Sequence, residues 1–349
     1  MKIGIDARLI NETGVGRYMR NLIAELADID TTNRYIVFVR DDRAWEPPNA
    51  RWEKRIADIP WHSVAEQVLL PRIFAKEQLD LLHVPYFAIP IFYTGAFVVT
   101  MHDLTILHYP TGKATTLPRF FYRAKVLAYR IILEIGLRRA AHIIAVSHAT
   151  AKELTDHFSL DAQKVSVIHE GVRRMKTEKR ILAGPYYLYV GNAYPHKNLE
   201  TLLKAIGRKK LVLVGKEDLF YRRLPRADNV LFLNTVSDTE LGSLYAHASA
   251  LVFPSLMEGF GLPALEAAVC GTPVVCSDTP AFREVLGPLG NYFQPHDVSG
   301  LRALLENPEK LKRPSQKEQQ ELLAHFNWRH MAERTLAVYE HCIGVRSSQ

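Results

Sequence analysis

The sequence has few cysteines and no long apolar run, and both shortages narrow the kinds of protein it can encode. Its 349 residues include three cysteines, Cys270, Cys276 and Cys342, an odd number without the spacing of a zinc site. We expect them to be reduced core residues of a cytosolic protein. No apolar run approaches the ~20 residues that a membrane-spanning helix needs. The N-terminus, MKIGIDARL, enters a predicted strand directly and lacks the apolar segment of a signal peptide.

Two ligand motifs are incomplete. Gly14-Val-Gly16 follows the first predicted strand, but Met19 stands where a dinucleotide fingerprint has its third glycine. The preceding loop, Ala7–Thr13, is also too long for the tight turn of that motif. Both features weigh against an oxidoreductase that uses a nicotinamide cofactor. The Asp-x-Asp sequence Asp28–Asp30 is predicted at a helix end and solvated, so we expect neither a metal nor another cofactor.

Length and charge point to two domains and an anionic partner. A chain of 349 residues exceeds the usual size of a single core. Its 48% hydrophobic content is typical of a globular protein. The net charge of +7 favours a nucleotide or an anionic membrane as partner, and we do not expect nucleic acid binding.

The most informative stretch runs from Ser249 to Asp278. An apolar run, Ala250–Phe253, predicts a buried parallel strand. A glycine-containing loop, Glu258–Gly261, follows it and leads into a short helix with Pro263 in its first turn. Thr272–Cys276 then predicts the next buried strand. The unit is a βαβ with a binding loop at the carboxyl end of its first strand.

This loop has the parts of a site for an anion and for hydroxyl groups. Gly259 and Gly261 allow backbone N–H groups to approach a ligand, and the helix start adds its positive dipole end. Glu258 and Glu266 would repel a phosphate, yet carboxylates accept hydrogen bonds from vicinal hydroxyls. A nucleotide sugar carries both groups. Alternatively, Glu258 is a solvated loop residue and Glu266 a charge on the helix surface, but the pair in this frame favours a ligand site.

Two other side chains are candidates. His102 follows the predicted strand Ala96–Thr100, at the carboxyl end where doubly wound sheets place ligands, although it could also be a packed structural histidine. Lys197 lies beside a predicted helix start at Asn198 and is placed to neutralise a pyrophosphate. The alternative for Lys197 is an ordinary surface lysine.

The stretch Glu258-Gly-Phe-Gly-Leu-Pro-Ala-Leu-Glu266, followed by Cys270-Gly-Thr-Pro-Val-Val, resembles the Glu-x7-Glu signature of retaining glycosyltransferases with the GT-B fold. The family is glycosyltransferase group 1, or family 4, which includes sucrose synthase and bacterial mannosyltransferases. The resemblance covers essentially the whole chain. It implies an α/β protein with two Rossmann-like domains facing a cleft. The acceptor domain is expected at 1–170, joined by a C-terminal helix at 327–349, and the nucleotide-sugar domain at 171–326.

The resemblance also implies roles for individual residues. Glu258, His102 and Lys197 are the expected catalytic residues. The expected donor-binding residues are Gly14, Gly16, Gly191, Asn192, Lys216, Val236, Gly259, Phe260, Gly261, Leu262 and Glu266. Within this set, Val236 is expected against the nucleobase and Glu266 at the ribose, with His102 on the transferred sugar. The family usually has an arginine at position 192, and we expect Lys216 to substitute for that cation.

The expected activity is a metal-independent hexose transfer with retention, from a nucleotide sugar to a glycan or lipid-linked acceptor in polysaccharide biosynthesis. Overall likeness makes GDP-mannose the first expectation for the donor. A nucleotide-sugar epimerase of the same architecture is one alternative, which incubation of the donor alone would reveal. A non-catalytic sugar-nucleotide-binding module is the other, although Glu258, His102 and Lys197 favour catalysis.

The segment Lys113–Arg139 is predicted to be a basic, amphipathic helix. It contains seven lysines and arginines against Glu134 alone, interleaved with large apolar and aromatic residues. Helices of this composition lie in the headgroup plane of anionic membranes. We therefore expect a cytoplasmic protein that associates with the inner face of the membrane. The alternative is an amphipathic helix packed on the first domain.

Overall fold

The computed structural model describes residues 1–61, 63–109 and 119–347, which form two compact units of strands and helices. The described residues of the first unit fall within Met1–Leu104, Pro118–Gly171 and Trp328–Gln349. Those of the second unit fall within Thr105–Leu117 and Val172–Asn327. The C-terminal helix thus belongs to the same unit as the N-terminal strands.

The first unit alternates strands and helices. In chain order it contains β1 (Lys2–Asp6), α1 (Gly14–Ile29), β2 (Arg34–Val39), β3 (Trp52–Ile56), α2 (Val64–Lys76), β4 (Leu81–Val84), β5 (Phe97–Met101), α4 (Arg119–Arg139), β6 (His142–Ala145), α5 (His148–Phe158), β7 (Val165–Val167) and the C-terminal α12 (Trp328–Ser347). The short helix α3 (Thr105–His108) groups with the second unit.

All pairings in the first sheet are parallel, in the order β3-β2-β1-β4-β5-β6-β7 across the described residues. The order reverses direction between β1 and β4, as in the Rossmann arrangement. Every residue of β4, β5 and β6 is buried, so both faces of these strands are covered. The helix α12 packs against α1 and also contacts β4 and β6.

The second unit repeats the same plan. It contains β8 (Tyr187–Val190), α6 (Leu199–Ile206), β9 (Leu211–Val214), β10 (Val230–Leu233), α7 (Asp238–His247), β11 (Ala250–Phe253), α8 (Leu262–Val269), β12 (Val274–Ser277), α9 (Pro280–Leu286), β13 (Gly290–Phe293), α10 (Val298–Glu306) and α11 (Gln316–His325).

Its sheet has the order β10-β9-β8-β11-β12-β13, again with parallel pairings throughout the described strands. The direction reverses between β8 and β11, so the loops after these two strands lie side by side at the carboxyl edge. In open sheets this reversal is where ligands bind. The fold therefore brings the loop 191–198 next to the loop 254–261.

One strand of the first sheet has a weak signal in the sequence. The strand β3, WEKRI, lies at the edge of the sheet, and its residues after Trp52 are half-buried or exposed. Charged residues at an edge strand leave no alternating apolar pattern. Trp52 fixes the strand by stacking on Tyr35, with ring centroids 4.0 Å apart.

The start of α2 is capped by Ser63, and Glu66 in its first turn pairs with a residue elsewhere in the chain. The Ser63 hydroxyl accepts a hydrogen bond from the backbone N–H of Glu66 at 3.1 Å, which caps α2. The carboxylate of Glu66 accepts a bond from the buried guanidinium of Arg8 at 2.8 Å. Arg8 also binds both oxygens of Asp6, so Glu66 belongs to a long-range ion cluster.

Candidate functional site

The clearest polar pair in the second unit joins the loops after β8 and β11. The Lys197 Nζ donates to Glu258 Oε1 at 2.6 Å. Their side chains are only 14% and 11% exposed, so neither residue is an ordinary solvated surface group. The Nζ atom also lies 5.7 Å from the ring centroid of Phe253. Two residues expected to contact different parts of a donor are therefore paired with each other.

Asn198 fixes the relation between these two loops. Its side-chain amide donates to the carbonyl oxygens of Pro254 at 3.0 Å and of Pro295 at 2.7 Å. The backbone N–H of Leu256 donates to the His196 carbonyl at 2.7 Å. Asn198 lies directly before α6, as expected, but its side chain gives no cap bond to the helix backbone. Its amide instead clamps the strand-end loops that carry Lys197 and Glu258.

The glycine loop leads into α8 through a left-handed residue. Gly261 has a φ of +88°, and a Cβ at this position would lie 2.6 Å from the ring of Phe282. Both facts require glycine here. The side chains of Phe260 and Leu262 are buried, and the Phe260 ring contacts the edge of Phe326. Phe260 and Leu262 thus anchor the loop through their side chains, and their backbone is the part suited to a ligand.

Glu266 is a buried carboxylate on α8. It is 5% exposed, and it accepts a hydrogen bond from the hydroxyl of Tyr245 at 3.1 Å. Its burial rules out a charge on the helix surface. A buried carboxylate requires hydrogen-bond donors, and ligand hydroxyls are donors of the right kind.

The predicted donor residues Gly191, Asn192, Lys216 and Val236 lie in loops at the same edge of the second sheet. The backbone carbonyl of Gly191 accepts from the Tyr221 hydroxyl, and that of Asn192 accepts from the Tyr189 hydroxyl, each at 2.5 Å. Lys216 is exposed in the loop after β9, and Val236 is half-buried before α7. The structure brings their loops to one edge because all the strands run in parallel.

A cavity of about 510 Å³ in the second unit lies elsewhere. It is lined by residues around β13 and α10, including Tyr292 and Asp297, and by none of the predicted site residues. Arg283 borders it, held by Asp278 and by the Tyr292 ring at 3.7 Å. The buried Lys197–Glu258 pair lies in the loops beside β8 and β11, so we take these loops as the candidate site.

The first unit carries His102 at the carboxyl edge of its sheet. Its Nδ1 lies 2.9 Å from Glu170 Oε1, and its Nε2 lies 3.1 Å from the Pro85 carbonyl oxygen. The ring of Tyr18, on α1, meets it edge-on at 4.8 Å. Glu170 is thus a carboxylate in direct contact with the His102 ring.

Gly14 and Gly16 begin α1 in the first unit. A Cβ on Gly16 would lie 2.5 Å from the Ile10 carbonyl oxygen, so close packing of the preceding loop requires this glycine. A Cβ on Gly14 would meet nothing within 4 Å. Packing thus accounts for Gly16, and the donor-binding role of both glycines stays a prediction.

Sequence reasoning missed Glu170 as a site residue. Glu170 is buried and follows β7 at the same edge as His102. The signal was weaker than for His102, because β7 is half-buried and ends three residues before Glu170, whereas His102 directly follows the buried strand β5. The two residues are 68 positions apart, so only the strand order of the sheet reveals their contact.

The described part of α4 has two faces. Leu133 and Leu137 are buried, and Gly136 packs on Ile89. Leu127, Ile131 and Ile135, spaced by four residues, are 60%, 47% and 40% exposed. Lys113 lies outside the described residues, as do the side chains of Arg119, Arg123 and Lys125. Within the described chain, every helix is too short or too polar to cross a bilayer.

The bases of α4 are not equivalent. Arg139 donates to the carbonyl oxygens of Ile91 and Tyr93 and so supports the loop after β4. Arg138 pairs with Glu134 at 3.2 Å on the exposed side of the helix. Arg130 is exposed as well. Arg139 therefore has a structural role and does not contribute its charge to the predicted basic face.

Comparison with known proteins gives consistent matches along the chain. Residues 174–321 match the family model described as glycosyl transferases group 1, and residues 13–174 match that of glycosyltransferase family 4. The O-antigen chain mannosyltransferase RfbU of Salmonella typhimurium is 28% identical over 274 residues, 75% of this chain and 74% of that protein. The O-antigen chain mannosyltransferase B of Escherichia coli is 32% identical over 250 residues, 64% of this chain and 63% of that protein.

Among solved structures, a sucrose-phosphate synthase from Thermosynechococcus elongatus superposes with a TM-score of 0.79. The superposition covers 99% of this chain and 100% of that one, at 20% sequence identity. At that identity the likeness establishes the fold, and it agrees with the two Rossmann-like sheets described above.

Proposed function

Because the chain belongs to the group 1, family 4 glycosyltransferases of the GT-B fold, we propose that it transfers a hexose from a nucleotide sugar to a glycan or lipid-linked acceptor. GDP-mannose is the proposed donor, and mannose is the sugar transferred. The similarity to two O-antigen mannosyltransferases supports this choice. Synthesis of a surface polysaccharide is the corresponding process.

The observation that carries the proposal is the buried Lys197–Glu258 pair at the sheet reversal of the second unit. A lysine that is only 14% exposed needs an anionic partner, and Glu258 supplies it in the absence of a ligand. A donor pyrophosphate supplies two such groups. In our proposal, Lys197 exchanges Glu258 for the pyrophosphate as its hydrogen-bond acceptor. Glu258 can then accept hydrogen bonds from the sugar hydroxyls.

Glu266 gives the site a second carboxylate for hydroxyl groups. Glu266 is buried beside Tyr245, and we assign its carboxylate to the hydroxyl groups of the ribose. Phosphate binding is left to Lys197, the exposed Lys216 and the backbone N–H groups at the start of α8. These cations and dipoles stabilise the charge that develops on the leaving diphosphate.

We further propose that the transfer proceeds with retention and without a metal ion. Lys197 and the helix dipole then supply the electrostatic stabilisation that a metal gives in other transferases. In the retaining route, the donor phosphate accepts the proton of the acceptor hydroxyl as the new bond forms. A protein base is therefore not needed on the acceptor side.

A nucleotide-sugar panel tests the proposal most directly. Thermal shift with GDP, UDP, ADP and their mannose and glucose conjugates identifies the base and the sugar, since ligands that bind the native state raise its stability. A turnover assay with the best donor and an oligosaccharide acceptor follows, and the anomeric coupling in the product NMR spectrum reports retention. The donor alone serves as a control, and an epimer formed there would favour an epimerase instead.

We also propose that the exposed face of α4 binds an anionic membrane surface. Leu127, Ile131 and Ile135 project from one face, with Arg130 and Arg138 exposed on the same helix. Helices of this kind insert their apolar side at the headgroup level. Each base near an anionic leaflet contributes about 1 kcal/mol, so such binding is reversible and depends on salt.

Flotation with anionic phosphatidylglycerol vesicles and with neutral phosphatidylcholine vesicles tests the membrane proposal. The double variant Leu127→Ser/Ile131→Ser should reduce flotation on anionic vesicles, and high salt should do the same to the natural protein. Leu219→Ser removes a side chain that is 56% exposed in the second unit and is the matched control. Binding that ignores lipid charge, or no binding at all, would assign the helix to packing alone.

A further inference from the structure

The contact between His102 and Glu170 constrains where the protons of the two side chains lie. Both side chains are nearly buried, at 10% and 8% exposure, where water cannot replace a missing partner. Each ring nitrogen of His102 faces an oxygen: Glu170 Oε1 at 2.9 Å from Nδ1 and the Pro85 carbonyl at 3.1 Å from Nε2. The identity of these two acceptors limits where the protons are.

A backbone carbonyl only accepts hydrogen bonds, so the Nε2 of His102 must carry a hydrogen. A neutral imidazole has one N–H, and its Nδ1 would then be an acceptor facing another acceptor, the ionised carboxylate of Glu170. This arrangement is repulsive in a nearly buried site. The pair therefore holds a second proton, either on Nδ1 as an imidazolium or on the carboxyl of Glu170, and its net charge is zero.

The surroundings hold the ring in this orientation. Tyr18 meets the His102 ring edge-on, and its hydroxyl lies 3.2 Å from Thr100 Oγ1. Thr100 in turn lies 2.8 Å from Nε2 of His83, whose Nδ1 is 2.6 Å from the Tyr339 hydroxyl on α12. Burial, and then the nearby His102, lowers the pKa of His83 to about 3, so His83 stays neutral. The chain of contacts leaves His102 little freedom to turn.

Resting on the proposed transfer function, we propose that Glu170 is a positioning residue that holds His102 as a hydrogen-bond donor at Nε2. A hydroxyl of the transferred sugar then competes with the Pro85 carbonyl for this N–H. With its Nδ1 side committed to Glu170, His102 does not act as a base in the reaction. Glu170 itself does not touch the substrate, and its effect is transmitted through the imidazole.

Two substitutions separate charge from geometry. Glu170→Gln keeps the size and can donate from its amide to Nδ1, which makes His102 a neutral imidazole that still carries its Nε2 hydrogen. Glu170→Ala removes the contact altogether. We expect kcat to fall by about 10- to 150-fold in Glu170→Ala, the effect of losing one hydrogen bond to a charged group, and by less in Glu170→Gln. The affinity for free GDP should be unchanged in both, because Glu258 and Lys197 are intact.

A spectroscopic measurement tests the proton count without any substrate. In the natural protein labelled with ¹⁵N-histidine, both ring nitrogens of His102 should appear protonated, or Nδ1 should appear strongly hydrogen-bonded by an acid proton. Glu170→Gln should convert the signal to the neutral Nε2–H form. The signal of His142, which contacts Ser166 at 2.8 Å in the same unit, should not move and serves as an internal control.

Glu77→Gln is the matched control for kinetics, since Glu77 is a part-buried carboxylate of the same unit that pairs with Lys2 and Arg55. Its kcat should equal that of the natural protein. If kcat is normal in both Glu170 variants while transfer is measurable, the positioning role is wrong and the proposed function stands. If no nucleotide sugar supports transfer, the proposed function fails. A natural protein whose His102 carries its only ring hydrogen on Nδ1 would also overturn the proposal, even if a variant does not fold.

Discussion

Replacing Glu258 by glutamine should separate sugar recognition from phosphate recognition in the second unit. In the structure, the Lys197 ammonium is held by Glu258 at 2.6 Å, and both side chains are almost buried. Glu258→Gln removes the negative charge but leaves an amide oxygen that still accepts a bond from Lys197. The variant should therefore fold, and its lysine should be released more easily to an incoming diphosphate.

The magnitude follows from the charges involved. A hydrogen bond that involves a charged group contributes about 1.5–3 kcal/mol, and each 1.4 kcal/mol is tenfold. If Glu258 accepts from sugar hydroxyls in the transition state, its replacement should lower kcat by about 10- to 150-fold. The affinity for a nucleoside diphosphate without sugar should stay the same or become tighter, because a like charge beside the phosphates is gone.

Lys197→Met should have the opposite effect to Glu258→Gln on the affinity for a diphosphate. It removes the cation for the diphosphate and leaves Glu258 as an unpaired, nearly buried carboxylate. We expect the affinity for the diphosphate to fall by about 10- to 150-fold and the free energy of unfolding to drop by about 1–3 kcal/mol. The double variant Lys197→Met/Glu258→Gln should recover part of that stability, since no unpaired charge remains.

Isothermal titration with GDP, and with UDP as a second probe, measures affinity, and thermal unfolding measures stability. Steady-state kinetics with the donor found in the panel gives kcat. The reasoning would be refuted if Glu258→Gln lost diphosphate affinity more than tenfold while its kcat stayed normal. The same holds if Lys197→Met bound the diphosphate as tightly as the natural protein.

Four further predictions concern separate features. Glu266→Ala should weaken GDP binding by about 1.5–3 kcal/mol in isothermal titration, and unchanged affinity would remove its assignment to the ribose. Turnover should persist in excess chelator, and activity that is lost and then restored by magnesium or manganese would contradict the metal-independent route. Gly261→Ala should destabilise the protein by more than ~1 kcal/mol in urea unfolding, because its φ of +88° and the ring of Phe282 both oppose a Cβ, whereas Gly207→Ala, at a φ of +59° in open space, should cost less. Burial raises the pKa of Asp30, but hydrogen bonds donated by neighbouring groups outweigh it and lower that pKa to about 2. Because the folded value lies below the unfolded one, the stability that Asp30 contributes is present above about pH 4 and is lost as the pH falls toward 2. In Asp30→Asn, the free energy of unfolding in urea should therefore depend less on pH over this window.

Chain length predicted two domains, and the apolar runs within Ser249–Asp278 predicted one buried βαβ unit. The resemblance to the glycosyltransferase family implied two Rossmann-like units, and the strand orders of both sheets confirm this architecture. The central βαβ has Ala250–Phe253 as a strand and a helix at Leu262–Val269, because buried parallel strands and capped helices leave signals within a few residues. An edge strand such as Trp52–Ile56 leaves no such signal, since half of its residues face water.

What the sequence could not supply is the set of contacts between distant loops. Lys197 and Glu258 are 61 residues apart, and His102 and Glu170 are 68 apart. Their pairing depends on which strands are neighbours, a property of the whole sheet and not of any window of the chain. Burial of Glu266 is likewise a result of packing. The sequence thus determined which residues carry charge at strand ends, and the tertiary structure decided which of those charges meet, because parallel strands bring their carboxyl ends to one edge whatever their separation along the chain.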